Sequence, residues 1–382
     1  MRALRIGVAA LLLAGSIRAS DTKGSADILN RGQQVSTAIA TVTSTAISPL
    51  LGVCLLGIYD YARASPQARA ALPFYSKPHF WIPIGILLIL IFFKDSIGGT
   101  FHVLKKPLDA VEVLVVNKAA LVLIAFPVMY HEVSQLTGIR DIAELIQPVV
   151  YAAAPDMLQT AGHIASASIM LIAGAIITIV VWVVGHALDV VALLSPIPFL
   201  DLAVKGARAL VLIAVGLCAV LNPTLGLIAS LIVIGISALF FFFALRVLIL
   251  GTVFACDVLF GGKQTPRETV RAFTVGKIHG MPRQTLGTLA RDPNGILEFR
   301  YRRVIFGPTR RIRLENASAY DLGRGILYPS VVLPKGERHS MQFRLLPRYR
   351  GSEETIRATL GLASIRDLGL GKLVPRKKEM TA

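Results

Sequence analysis

From Ala209 to Leu245 the chain carries no Asp, Glu, Lys or Arg. An uncharged apolar run longer than ~18 residues is a candidate to cross bilayer hydrocarbon. Asn222-Pro223 falls inside this run and divides it into two spans. A water-soluble fold has no place for such a stretch, so the chain reads as an integral membrane protein. Only 16% of all residues are charged, against about a quarter in soluble domains.

The charge is unevenly spread. Residues 263–382 hold 24 Lys and Arg against 10 Asp and Glu, whereas the net charge of the whole chain is +17. The expected architecture is therefore an α-helical polytopic membrane domain over 20–262 and a basic soluble domain over 263–382. The first 19 residues join basic residues, a short apolar stretch and small residues ending at Ala19. That pattern predicts a secretory signal peptide over 1–19. Cys54, Cys218 and Cys256 lie in apolar segments with no metal or redox spacing.

Six apolar segments stand out, near 37–58, 79–93, 107–126, 164–185, 198–221 and 224–250. Two of them share an ordered pattern. An apolar span ends in an Asp (Asp95, Asp189); then follow a linker, a Pro, a second Asp (Asp109, Asp201), the hexamer ALVLIA and another Pro. The hexamer occurs at Ala120–Ala125 and Ala209–Ala214, 89 residues apart. This order predicts an internal duplication of a helical hairpin, with units near 79–127 and 164–223. Pro107 and Pro198 suit first helical positions, and Pro127 is expected to end its helix.

Lys and Arg cluster at 94–118, at 186–208 and in the tail. The positive-inside bias places these on the cytoplasmic side of an inner membrane. A cleaved signal would then prevent 37–58 from crossing fully. Pro49 and Gly52 in STAISPLLG fit a broken or re-entrant helix there; an uncleaved N-terminus held inside lets 37–58 span.

Acids inside a membrane face partners or a pathway. Asp95, Asp109, Asp189 and Asp201 are therefore candidate pathway or structural residues. Lys205, four residues after Asp201, and Arg208 are their candidate partners. The bland reading competes: a carboxylate near a helix N-terminus is favoured by the helix dipole alone. His186 and Asp189 share a face, but two ligands fall short of the three or four a metal site normally needs. No metal or cofactor is expected. There is no H-E-x-x-H, G-x-S-x-G or P-loop, so no catalytic residue is assigned.

In the basic domain, Thr265, Pro266 and Glu268 form a capping-box pattern that predicts a short helix. DPNG at 292–295 marks a turn. The runs around Leu297–Arg302 and Arg310–Leu314 alternate with period two, which predicts a hairpin with one apolar and one Arg-rich face. GILYPSVVL and HSMQFRLL read as further strands, and a helix is expected from Ser352. The expected fold is a small α+β domain, an antiparallel sheet plus a C-terminal helix. Arg300, Arg302, Arg303, Arg310, Arg311 and Arg313 are candidate lipid-binding residues, since each basic group near an anionic leaflet contributes ~1 kcal/mol. Nucleic acid is disfavoured because no aromatic platform interleaves with these arginines.

Two resemblances follow. The order of strands then helix over about 270–365 resembles bacterial pleckstrin-homology-like domains, which implies lipid-headgroup or protein docking. The stretch ILLILIFFKDSIGGTFHVLKKPLDAVEVLVVNKAALVLIA resembles a family of bacterial integral membrane proteins of no assigned activity, with Asp95 and Asp109 at its acidic positions. That implies a membrane class and no substrate. The expected function is transport or sensing of a small solute or ion, with the C-terminal domain docked on anionic lipid headgroups or a partner. Homo-oligomerisation is a further option. The alternative is a non-transporting scaffold that recruits through its C-terminal domain; an intramembrane enzyme is least favoured.

Overall fold

The computed structural model describes residues 25–97, 109–137, 157–194, 198–262, 268–275, 278, 280–302, 307–325, 328–335 and 338–368. The expected signal peptide and Arg303 lie outside these. The chain divides into two compact units: residues 1–105 with 112–245, and residues 106–111 with 246–382.

The first unit is helical. Helix α1 (Ser25–Ile47) stops at Ser48, and α2 (Pro49–Arg63) restarts with proline at its first turn. Ser48 is extended, with φ −150° and ψ 95°. Gly52 lets α2 fold back against α1, because a Cβ there would lie 2.8 Å from the Ser44 carbonyl oxygen. Helix α3 (Pro78–Ile97) returns alongside α2. A helical run, α4, spans 112–137; π turns over Glu112–Val116 and Leu121–Ala125 flank Asn117–Ala120, and Phe126–Thr137 completes it. Helix α5 is Met157–Leu194, α6 is Pro198–Leu221, and α7 is Pro223–Phe260.

Pro127 does not end its helix, contrary to expectation. Proline removes the N–H that would bond the carbonyl four residues earlier and crowds that carbonyl. The wide π turn just before it accommodates both losses, as Pro-containing helices in membranes do.

Among the described residues, four helical segments are long and apolar enough to cross a bilayer: Asn117–Thr137, Ala165–Ala192, Leu202–Leu221 and Pro223–Phe260. Pro78–Ile91 is a shorter apolar segment. Helix α1 differs in kind. It is rich in Ser, Thr and Ala, and it packs against α4, α5 and α6. Ser36 and Thr45 satisfy their hydroxyls on their own helix, at Gly32 O (2.8 Å) and Thr41 O (2.9 Å). Ile39, Val42, Ile47, Met129, Ile177, Val181 and Leu212 form the apolar core around it.

The second unit contains an eight-stranded sheet, larger than the small sheet expected from sequence. The strands are β1 (Thr269–Thr274), β2 (Leu286–Arg291), β3 (Ile296–Arg302), β4 (Thr309–Asn316), β5 (Asp321–Arg324), β6 (Ser330–Lys335), β7 (Arg338–Leu345) and β8 (Ile365–Asp367). Their order is β4-β3-β2-β1-β7-β6-β5-β8. All pairs are antiparallel except β5 with β8. The short helix expected after Thr265 is absent among the described residues; Thr269–Thr274 is strand β1, because Val270, Ala272 and Phe273 are fully buried in the sheet core. The DPNG turn joins β2 to β3, with Gly295 at φ 81° and its N–H on Asp292 O. Helix α8 (Glu353–Leu360) touches β1, β2, β5 and β8. Since β2 and β5 are four places apart in the sheet order, the sheet must curl around it. Phe299 on β3 and Phe343 on β7 meet across that curl at 5.0 Å between ring centroids.

The end of α7 is fastened to this sheet unit. The Asp257 carboxylate is fully buried and accepts from both the backbone N–H (2.7 Å) and the guanidinium Nε–H of Arg348. Phe254 meets the Tyr328 ring edge-on at 6.0 Å, and the Arg344 guanidinium lies over the same Tyr328 ring, 4.7 Å from its centroid. Removing one member of a buried pair leaves the other charge uncompensated, at a cost of about 3–5 kcal/mol. Asp257→Ala is therefore expected to lower the unfolding midpoint of the purified protein in detergent, and Arg291→Ala, at an exposed site on the same sheet, to leave it far closer to wild type.

Candidate functional site

The break between α1 and α2 sets the site. In a continuous helix the Thr45 carbonyl would accept from residue 49, but Pro49 has no N–H. The Ile47 carbonyl would accept from Leu51, but the extended Ser48 turns the chain away. A backbone carbonyl left bare in an apolar interior costs several kcal/mol. The Arg208 guanidinium on α6 meets this need: one Nη donates to Ile47 O at 2.5 Å. Gly185 on α5 makes the approach possible, since a Cβ there would lie 3.1 Å from Ile47 O and 3.4 Å from Arg208 Nη2.

A buried guanidinium needs a counter-charge. The other Nη of Arg208 lies 2.5 Å from Asp189 Oδ1 on α5. The second carboxylate oxygen accepts from Asn117 Nδ2 on α4 at 3.1 Å. His186 Nδ1 stands 3.6 Å from that same oxygen, and the imidazole stacks on Trp182 at 5.0 Å. Among the described residues, neither imidazole nitrogen has a hydrogen-bond partner, nor does Arg208 Nε. A second pair lies beside the first: Lys205 Nζ is 3.1 Å from Glu112 Oε1. Four helical elements thus converge on one polar network, and a cavity of about 420 Å³ opens against it. Ser48, Pro49, Glu112, Asn117, Asp189, Lys205 and Arg208 contribute to its wall, which is otherwise apolar.

Of the four acids singled out in the sequence, Asp189 stands at this centre. Asp109 is buried and belongs to the second unit. The side chains of Asp95 and Asp201 lie outside the described residues. Lys205 pairs with Glu112 and Arg208 with Asp189; the expected Asp201–Lys205 pair lies outside the described side chains. Glu112, Asn117, Gly185 and the Ile47 carbonyl were not singled out. Pro49 was the signal for the last of these.

A second polar cluster ties the α2–α3 connection to α4. Tyr75 donates to Glu132 Oε1 at 2.8 Å, and Ser76 donates to Asp60 Oδ2 at 2.7 Å. Burial pushes the Asp60 carboxyl above its usual range, offset in part by the Ser76 hydroxyl. Burial raises the Tyr75 phenol as well, and the neighbouring Glu132 charge adds to it.

In the second unit, Arg300, Arg302, Arg311 and Arg313 fall on the outward face of the β3–β4 hairpin, opposite buried Leu297 and Phe299. Arg300 and Arg311 are directly paired across strands and share Glu298, at 3.0 and 3.7 Å. Arg310 is exposed on β4, which is an edge strand. Charges there also keep an edge from pairing with another chain.

Comparison with known families, characterised proteins and solved structures finds no match. The functional reading rests on the site alone.

Arg208→Gln is expected to destabilise the protein by about 3–5 kcal/mol, because Asp189 is left buried and uncompensated. Asp189→Asn in the same chain should recover part of that loss. A double-mutant cycle in detergent measures the coupling, and additive single effects would deny the pair.

Proposed function

We propose that this chain is a multi-pass inner-membrane protein that binds a small solute in the cavity at the α1–α2 break, in order to move it or sense it. The observation that carries this reading is the Asp189–Arg208–Ile47 network beside an open cavity. Ionisable groups within a membrane are costly and mark functional pathways by default. Transporters place substrate at interrupted helices whose freed backbone groups take part in binding.

The duplication read from sequence gains support at this point. In the register set by the two ALVLIA hexamers, Val116, Asn117 and Ala120 correspond to Lys205, Gly206 and Ala209, each pair 89 residues apart. All six line the cavity. A binding cavity between two copies of one hairpin is the arrangement that repeat-built transporters use. The basic unit, with its Arg-rich hairpin face, is read as resting on the anionic cytoplasmic leaflet, where exposed Arg302, Arg311 and Arg313 interact with headgroups.

Complementation of a deletion strain tests the reading. The paired variant Asp189→Asn with Arg208→Gln, at wild-type abundance in the membrane, is expected to fail to restore the deletion phenotype. Full restoration by that variant, together with loss of function on removing residues 263–382, would favour the scaffold reading instead.

A further inference from the structure

The cavity's surroundings bear on what enters it, an inference that rests on the binding reading above. Its wall includes Leu88, Ile89 and Ile91 of α3 and Leu202 of α6. Ile89 is 57% exposed and Leu202 44% exposed. On helices of a membrane protein, large exposed apolar side chains face lipid. The cavity is therefore rimmed on one side by residues that also face the bilayer, and an apolar molecule can reach it without crossing water.

The polar end of the cavity is biased toward anions. In each ion pair the cation is the more accessible partner: Lys205 is 25% exposed against 14% for Glu112, and Arg208 13% against 7% for Asp189. All four charged groups line the cavity, with each cation more exposed than its carboxylate. The first residues of α2, from Ser48 to Leu51, also line the cavity. A helix N-terminus carries roughly half a positive charge and unpaired N–H groups, which favour an anion. The size is that of one chain: a liquid water occupies about 30 Å³, so the cavity holds about fourteen water-sized groups.

We propose that the cavity binds a single-chain anionic amphiphile drawn from the bilayer, with its head on Lys205 and Arg208 and its chain along α3 and α6. A medium-chain fatty carboxylate is the simplest member of this class.

Gly206 supplies a fold-sparing test. It lines the cavity, and a Cβ built there meets nothing within 4 Å. Gly206→Leu fills the cavity, and glycine is the weaker helix former of the two. The full chain in phosphatidylcholine nanodiscs is titrated with radiolabelled laurate. Dodecanol, acetate and phosphatidylglycerol serve as competitors. Saturable laurate binding is expected, weakened at least tenfold by Gly206→Leu and by Lys205→Gln, and not displaced by a hundredfold excess of acetate. Dodecanol should compete at least tenfold more weakly than unlabelled laurate. Displacement by acetate as effective as by laurate would overturn the amphiphile in favour of a soluble anion. Displacement by phosphatidylglycerol at lower concentration than laurate would overturn the single chain in favour of a two-chain lipid. Absence of laurate binding would overturn the proposal; if Gly206→Leu then still abolishes complementation, the ligand class was wrong and the cavity reading survives. Undiminished laurate binding in Gly206→Leu would remove the cavity as the site.

Discussion

A helix broken where water cannot reach leaves a backbone carbonyl in need of a donor, and much of the first unit follows from how that need is met. Pro49 interrupts α1 and α2, and the Ile47 carbonyl takes the Arg208 guanidinium. Once a guanidinium is placed there, its charge requires Asp189, and the second oxygen of Asp189 recruits Asn117. One local backbone defect thus ties α1, α4, α5 and α6 together. Buried ion pairs are weak contributors to net stability, because desolvation offsets attraction. Their retention here fits a role in setting which helices meet, and in lining a cavity with two ion pairs.

The second unit depends on a different balance. Its strands alternate, and the sheet curls so that Phe299 and Phe343 share a core beneath α8. That curl leaves Arg300, Arg302, Arg311 and Arg313 on the outer face of the β3–β4 hairpin, moderated by Glu298. The inward row explains the fold, and the outward row bears on docking. The fastening of Asp257 by Arg348 holds the last turns of α7 in the same unit as the sheet.

Much of the architecture was legible in the sequence. The uncharged run after Arg208, the DPNG turn, the β3–β4 alternation and the Ser352 helix start each have a local cause, and each reappears in the structure. What local rules miss is tertiary. Residues 269–274 follow a capping-box pattern, yet Val270, Ala272 and Phe273 are worth more buried in a sheet than on a short helix. Pro127 reads as a stop, but a π turn absorbs it. Asp189 and Arg208 were both visible as intramembrane charges, with Arg208 a candidate partner of the acids; which acid it meets was not, because 19 residues separate the pair. Glu112 was recoverable. The hexamer register places it, not Asp109, opposite Asp201.

The central claim is that Arg208 occupies the carbonyl freed at the α1–α2 break. Solid-state NMR on protein in lipid, with the Ile47 carbonyl carbon and the Arg208 guanidinium nitrogens isotopically labelled, measures that contact through their dipolar coupling. The account predicts the strong coupling of a direct hydrogen bond, lost when Pro49 is replaced by Ala and the helix is free to continue. No coupling in the wild-type protein would contradict it.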